Sequence, residues 1–342
     1  MLNCVYRLIA PRSIEPVQLE VSSEDAAAVA VRPTHLSICN ADMRYYLGTR
    51  GADVLARKLP MALIHEGIGR VLRDPSGTFA PRQRVVMLPN NPHEIDPFIA
   101  ENYLRSSEFC GSGFDGFMQE CLYLPARRVL ALPEGIDDET AAFTEIVSVA
   151  MHAVTRFEAI AHARRDCVGV WGDGNLGYIV ALILRMRYPS MRIVVVGRNA
   201  HKLADFTFAD ETYTSYELPA SLRVDHAFEC CGGDGAAAAI DQIIDAVQPE
   251  GTVSLLGVSE NPVPVNTRMV LEKGLRLFGS SRSGRADFEA VVSLYREKPE
   301  VLDYLSLLVG DVVPVRSVAD MTRAFEADLR KAMGKTIMEW RV

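Results

Sequence analysis

The stretch "VWGDGNLG", residues 170–177, constrains this chain more than any other. Gly172, Gly174 and Gly177 stand in G-x-G-x-x-G spacing, directly after the apolar run "CVGVW" and at the opening of the apolar helical pattern "NLGYIVALILRM". Strand, glycine turn and helix in that order form a dinucleotide-binding loop. The first glycine permits the tight turn, the second lets the backbone approach a pyrophosphate, and the third lets helix pack on strand. Asn175 and Leu176 open the helix, whose first N–H groups and positive dipole end suit phosphate oxygens.

Beyond this loop, the short buried runs "RIVVVG", "HAFECCG" and "TVSLLGV" alternate with helical stretches. Such alternation predicts βαβ units and a parallel sheet. We expect a doubly wound Rossmann domain over residues 151–280. The preceding residues carry short apolar runs broken by Pro and Gly, such as "RVVMLPNNP" and "VLALPEGID", which read as mainly β. In "TEIVSVAMHAVTRF", Ile146, Val149, Ala150, Ala153, Val154 and Phe157 fall on one helical face, with Thr144 as the expected N-cap. A chain of 342 residues has room for two domains. The fold class is therefore α/β, with residues 1–150 and 281–342 forming the second domain.

The end of the second Rossmann strand reads "VVVGRNAHK". An NAD-binding fold normally places Asp or Glu there for the ribose 2′-hydroxyl. Gly197 stands instead, followed by Arg198 and, four residues on, Lys202. Loss of the carboxylate removes its repulsion of a 2′-phosphate, and Arg198 offers a bidentate partner. We expect NADPH, the alternative being that Arg198 is a solvated surface charge.

The formal net charge of −8 argues against nucleic acid as a partner. The start "MLNCVYRLIAPRS" lacks the apolar core of a signal peptide, and no apolar run approaches about 18 residues, so no membrane partner is expected. The seven cysteines are odd in number and irregular in spacing. They predict a reducing, cytoplasmic setting rather than a disulfide framework.

In "ALIHEGIG", His65 and Glu66 sit among apolar residues and need partners. A histidine so placed is either a satisfied core residue or a ligand. Cys39 in "SICNAD" and Glu145 in "TEIVSV" could add sulfur and oxygen ligands for a catalytic metal. Asp42, three residues after Cys39, is a candidate acceptor for an imidazole N–H.

The order Cys39, "HEGIG", Glu145, "GDGNLG" resembles the zinc-dependent medium-chain dehydrogenase/reductases of the polyol branch, over the whole chain. The stretches "SICNADMRYYLGTR", "KLPMALIHEG", "LLGVSENPVPVNTRMVLEKGL" and "GSSRSG" are similar to the NADPH-dependent ribulose-5-phosphate reductases (ribitol-5-phosphate 2-dehydrogenases) of ribitol teichoic acid and capsule synthesis. The resemblance implies a GroES-like catalytic domain made from the two chain ends, a cleft active site, and reduction of D-ribulose 5-phosphate to D-ribitol 5-phosphate. It implies one catalytic zinc held by Cys39, His65 and Glu145, with Glu66 as a fourth or alternating ligand. Neighbours on a strand point to opposite faces, so that sharing needs a backbone turn, which Gly67 would allow. Arg44, Arg50, Lys58, Arg282 and Arg285 are candidates for the substrate phosphate, Arg282 by resemblance.

Two departures stand out. The loop that often carries four zinc-binding cysteines has only Cys110, so no structural zinc is expected. Ala41 replaces the Ser or Thr that often relays the proton, leaving Glu66 or water for that role. A homodimer or tetramer is expected, with functional coupling to a ribitol-5-phosphate cytidylyltransferase. The alternatives are a zinc polyol dehydrogenase acting on an unphosphorylated sugar alcohol, and a non-catalytic NADPH-binding protein.

Overall fold

The computed structural model describes residues 2–331 and 333–342. Its contacts divide the chain into two compact units, residues 1–148 with 283–342, and residues 149–282.

In the first unit the strand Val29–Ser37 is central. Glu66–Arg73 pairs with it antiparallel on one side, and Lys335–Trp340 pairs antiparallel on the other. Arg84–Met87 and Val129–Ala131 extend the sheet one way, and Val309–Val315 the other. The two ends of the chain therefore share one sheet. The core contains Leu36, Ile38, Tyr46, Phe325 and Trp340. Tyr46 and Phe325 stack with ring centroids 4.5 Å apart, a pairing worth about 0.5–1.5 kcal/mol beyond the area it buries.

The helix Thr144–Ile160 begins in this unit and runs on into the next. Its first three turns are buried nearly all round, so the single apolar face predicted from spacing is incomplete. Nor does Thr144 cap it. The Thr144 hydroxyl donates to the Ala141 carbonyl, because the chain arrives from the short helix Asp138–Ala141 rather than from an extended segment.

The second unit is a six-stranded parallel sheet. Its spatial order is Glu211–Thr214, Arg192–Gly197, Cys167–Trp171, Val224–Glu229, Val247–Leu255, Arg276–Gly279. The chain moves outward from Cys167–Trp171 in one direction, then returns to place Val224–Glu229 on the other side. That reversal is the switch point at which open α/β sheets bind ligands, beyond the carboxyl ends of the strands. Trp171, Val194, Ile243 and Val253 fill the core. The edge strand Glu211–Thr214 carries no apolar alternation and was not predicted. No helix among the described residues is long and apolar enough to cross a membrane.

Candidate functional site

Cys39 precedes the helix Asn40–Tyr46, and His65 lies just before the strand Glu66–Arg73. One side chain ties these segments together. Asp42 is wholly buried; its Oδ2 accepts from the Cys39 N–H at 3.0 Å and its Oδ1 from the Ile64 N–H at 3.0 Å. The same Oδ1 lies 3.5 Å from His65 Nδ1. Burial alone would lower the His65 pKa, but the Asp42 carboxylate outweighs it and holds the imidazole well above its ordinary value.

Gly67 makes no turn and lies in regular strand pairing opposite Leu36. The unusual backbone is at Ile64, just before the pair, whose φ is +72°. A β-branched residue in the left-handed region is strained and persists only where its surroundings enforce it. Here the Ile64 N–H is held by Asp42, and its carbonyl accepts from the Phe117 N–H at 2.7 Å.

The ligand atoms of Cys39, Asp42 and His65 fall within 4.8 Å of one another, and so do those of His65, Glu66 and Glu145. Among the described residues these are the groupings of three or more such side chains, and His65 belongs to both. Its Nδ1 is buried and faces the Asp42 carboxylate at a distance too long for a regular hydrogen bond. Thiol, imidazole and carboxylate donors converging on His65 suit a divalent metal of zinc's preferences. Burial pushes the Glu145 carboxyl up to about 7, with Glu66 adding to the rise against His65.

Glu66 is already engaged. Its Oε2 accepts from the Ser37 hydroxyl at 2.9 Å, and its Oε1 faces Lys335 Nζ at 2.8 Å, with both side chains buried. Coordination of a metal by Glu66 would have to use a lone pair beside one of these bonds. The sheet register explains the trio. Ser37 pairs with Glu66 on one side and with Ile337 on the other, so Ser37, Glu66, Ile337 and Lys335 share a face. Burial would lower the Lys335 ammonium, but Glu66 more than offsets that and keeps it charged. Sequence reasoning missed Lys335 and Ser37.

At the glycine loop, Gly172 has φ +136°, and a Cβ there would meet the Cys230 carbonyl carbon at 2.9 Å. A Cβ on Gly177 would lie 2.0 Å from the Gly172 oxygen, so the helix can start this close only without one. Gly174 is extended, caps the helix Asn175–Arg187 without a side chain, and has open space where its Cβ would be. Asn175 and Leu176 are half-buried beside it. Open space at Gly174 above uncapped N–H groups fits a pyrophosphate. Arg198 is exposed and Lys202 half-exposed, both just past the strand Arg192–Gly197. The expectation that this strand end lacks a carboxylate needs correction, because Asp173 reaches it from the glycine loop and accepts from the N–H groups of Arg198 and Asn199.

The candidate phosphate ligands separate. Arg50 and Lys58 gather on Tyr45, with the guanidinium carbon 4.9 Å and the ammonium 5.8 Å from the ring centroid. Lys58 also donates to the Ser112 hydroxyl at 2.9 Å, and the neighbouring Gly111 lies against the Ile64 backbone. Arg44 is half-buried on the helix that carries Tyr45. Arg282 is half-buried with φ +59°. Arg285 does not belong with them. Its guanidinium donates to Glu289 at 2.8 Å and to the Arg127 carbonyl at 2.7 Å, where it ties down the start of its own helix.

Residues 176–297 match the zinc-binding dehydrogenase family, and residues 25–134 match the alcohol dehydrogenase GroES-like domain. The chain is 53% identical to the ribulose-5-phosphate reductase of Bacillus spizizenii, over all of both chains. The chain belongs to the family of zinc-binding dehydrogenases. Within it, full-length relatives are ribulose-5-phosphate reductases: ribulose-5-phosphate reductase 1 of Staphylococcus aureus is 50% identical over 99% of each chain. The crystal structure of S. aureus TarJ in complex with NADPH superposes with a TM-score of 0.89 at 45% identity, covering all of both chains.

Proposed function

We propose that this chain reduces the C2 ketone of D-ribulose 5-phosphate to D-ribitol 5-phosphate with NADPH, supplying ribitol 5-phosphate for teichoic acid or capsule synthesis. The observation that carries the reading is the pair of groupings that meet at His65, one with Cys39 and Asp42 and one with Glu66 and Glu145, in a chain whose relatives named for this reaction match it end to end. Cys39, His65 and Glu145 would hold a single catalytic zinc, which supplies a Lewis acid for the carbonyl oxygen. NADPH, on the Gly172–Gly177 loop, supplies the hydride.

The remaining work falls to the protein. Asp42 orients His65 and fixes the backbone of Cys39 and Ile64 in a single contact set. Ala41 brings no hydroxyl, which leaves Glu66, held between Ser37 and Lys335 beside the ligand groupings, or water to pass the proton. Arg50 and Lys58 bind the 5-phosphate, a dianion that relieves the repulsion between two cations sharing one ring. All seven cysteines are free, in keeping with a reducing cytoplasm.

The test is to measure zinc content and NADPH oxidation with D-ribulose 5-phosphate and with D-ribulose. One zinc per chain and strong preference for the phosphorylated ketose are expected. Turnover of D-ribulose at equal efficiency would overturn the substrate, and full turnover by metal-free protein would overturn the zinc.

A further inference from the structure

The residue between the first two glycines of a dinucleotide loop is normally a free position, but here it is not. Asp173 Oδ2 accepts from the N–H groups of Arg198 and Asn199, both at 2.7 Å. It can do so because position 197 has no side chain: a Cβ on Gly197 would lie 2.5 Å from Asp173 Cβ and 2.8 Å from Oδ2. The volume that an acidic side chain occupies in an NAD-binding strand is filled from the other side, by a carboxylate turned onto the backbone.

That backbone carries the charges expected to meet the 2′-phosphate. Arg198 is itself held at its N–H. Asn199, held likewise, caps the next turn through its own Oδ1, accepting from His201 N at 2.9 Å and Lys202 N at 3.4 Å. One carboxylate thus fixes the segment from which both Arg198 and Lys202 project. A carboxylate receiving two backbone N–H groups is also largely satisfied, so it repels a nearby phosphate less than a free one would.

We propose that Asp173 is a positioning residue for cofactor choice: by holding the Arg198 and Asn199 N–H groups it sets the turn that recognises the 2′-phosphate, and Gly197 is required to admit it. The proposal rests on the NADPH reading above.

The experiment is equilibrium binding of NADPH and NADH, followed by nucleotide fluorescence, with thermal unfolding of the nucleotide-free protein as a control for folding. Loss of one or two charge-assisted contacts corresponds to about a ten-fold or greater loss of affinity. Asp173→Ala should therefore weaken NADPH about ten-fold and NADH by less than about three-fold. Asp173→Asn, whose amide oxygen still accepts, should restore most of the preference. In the Arg198→Ala background, Asp173→Ala should add little, since residues acting through one another are non-additive. Gly197→Ala, which leaves Asp173 in the sequence but displaces it, should reproduce the selective loss and serves if Asp173→Ala does not fold. Equal weakening of both nucleotides, or additive losses with Arg198→Ala, would overturn the proposal. Wild-type protein with no preference for NADPH would overturn the cofactor reading as well, whereas a wild-type preference that survives both Asp173→Ala and Gly197→Ala would overturn this proposal alone.

Discussion

Lys335 and Glu66 meet at 2.8 Å, one from the last strand of the first unit's sheet and one from an early strand, with neither side chain open to solvent. Removing one member of such a pair leaves an uncompensated buried charge, at a cost of about 3–5 kcal/mol. Lys335→Met should destabilise the protein by roughly that amount in urea unfolding. Adding Glu66→Gln to it should recover most of the loss. A single variant as stable as wild type would show that water or rearrangement solvates Glu66.

Cys39→Ser and His65→Ala should lose zinc and ketose reduction together. NADPH binding should stay near wild type, because both residues lie in the first unit whereas the glycine loop lies in residues 149–282. Metal analysis and nucleotide titration of the same preparations check this. A Cys39→Ser protein that reduces ketose without metal would be incompatible with the assigned ligands.

Arg198→Ala should erode preference for NADPH. A charge-assisted bond to phosphate contributes about 1.5–3 kcal/mol, so each such contact amounts to roughly 10- to 150-fold in kcat/KM for NADPH over NADH. The loss should fall on NADPH. Gly197→Asp is a poor test of the same idea, since its side chain collides with Asp173 before it can reach a ribose.

Lys58→Met should raise KM for D-ribulose 5-phosphate by about ten-fold or more, the scale of one charge-assisted contact to phosphate. Turnover of D-ribulose and zinc content should be unchanged. Arg285→Met should leave KM alone and lower stability, because that guanidinium is spent on Glu289 and the Arg127 carbonyl. The opposite pattern would exchange their roles.

His226 gives stability a pH dependence. It is buried, its Nε2 donates to the Arg164 carbonyl at 2.9 Å, and its Nδ1 accepts from the Thr252 N–H at 3.1 Å. That arrangement admits only the neutral ring, and burial lowers its pKa to about 4. The unfolded chain takes up the proton near pH 6.5 and the folded chain only near 4, so stability is lost as pH falls through that window, on the order of 3 kcal/mol in all. Urea midpoints at pH 7 and pH 5 measure it, and His226→Gln should flatten the difference.

What could be read from the sequence was local or ordered along the chain. The glycine loop announces itself because strand, turn and helix are contiguous. Cys39, His65 and Glu145 are legible as an ordered set of ligand types. Contacts made across the sheet were not. Lys335 opens the strand-like run "KTIMEW", which is legible, but its pairing with Glu66 depends on a register between segments 269 positions apart. Asp173 was only the variable residue of a motif, and its role appears once the absence of a side chain at Gly197 is seen in space. Glycine is the residue that turns easily, so the sequence points to Gly67, yet Ile64 takes the strained angle, held by a carboxylate 22 positions earlier.

The sheet shared by both ends of the chain sets a timetable for synthesis. A ribosome makes Glu66 269 positions before Lys335, which at roughly 5–20 residues per second is an interval of about 13–54 s. Throughout it the nascent chain carries Glu66 without its cation, and residues 149–282 are completed within it, ahead of Lys335. Closure of the first sheet around Glu66 therefore waits on the chain's last strand, whereas the unit that carries the glycine loop is complete in sequence before that strand is made.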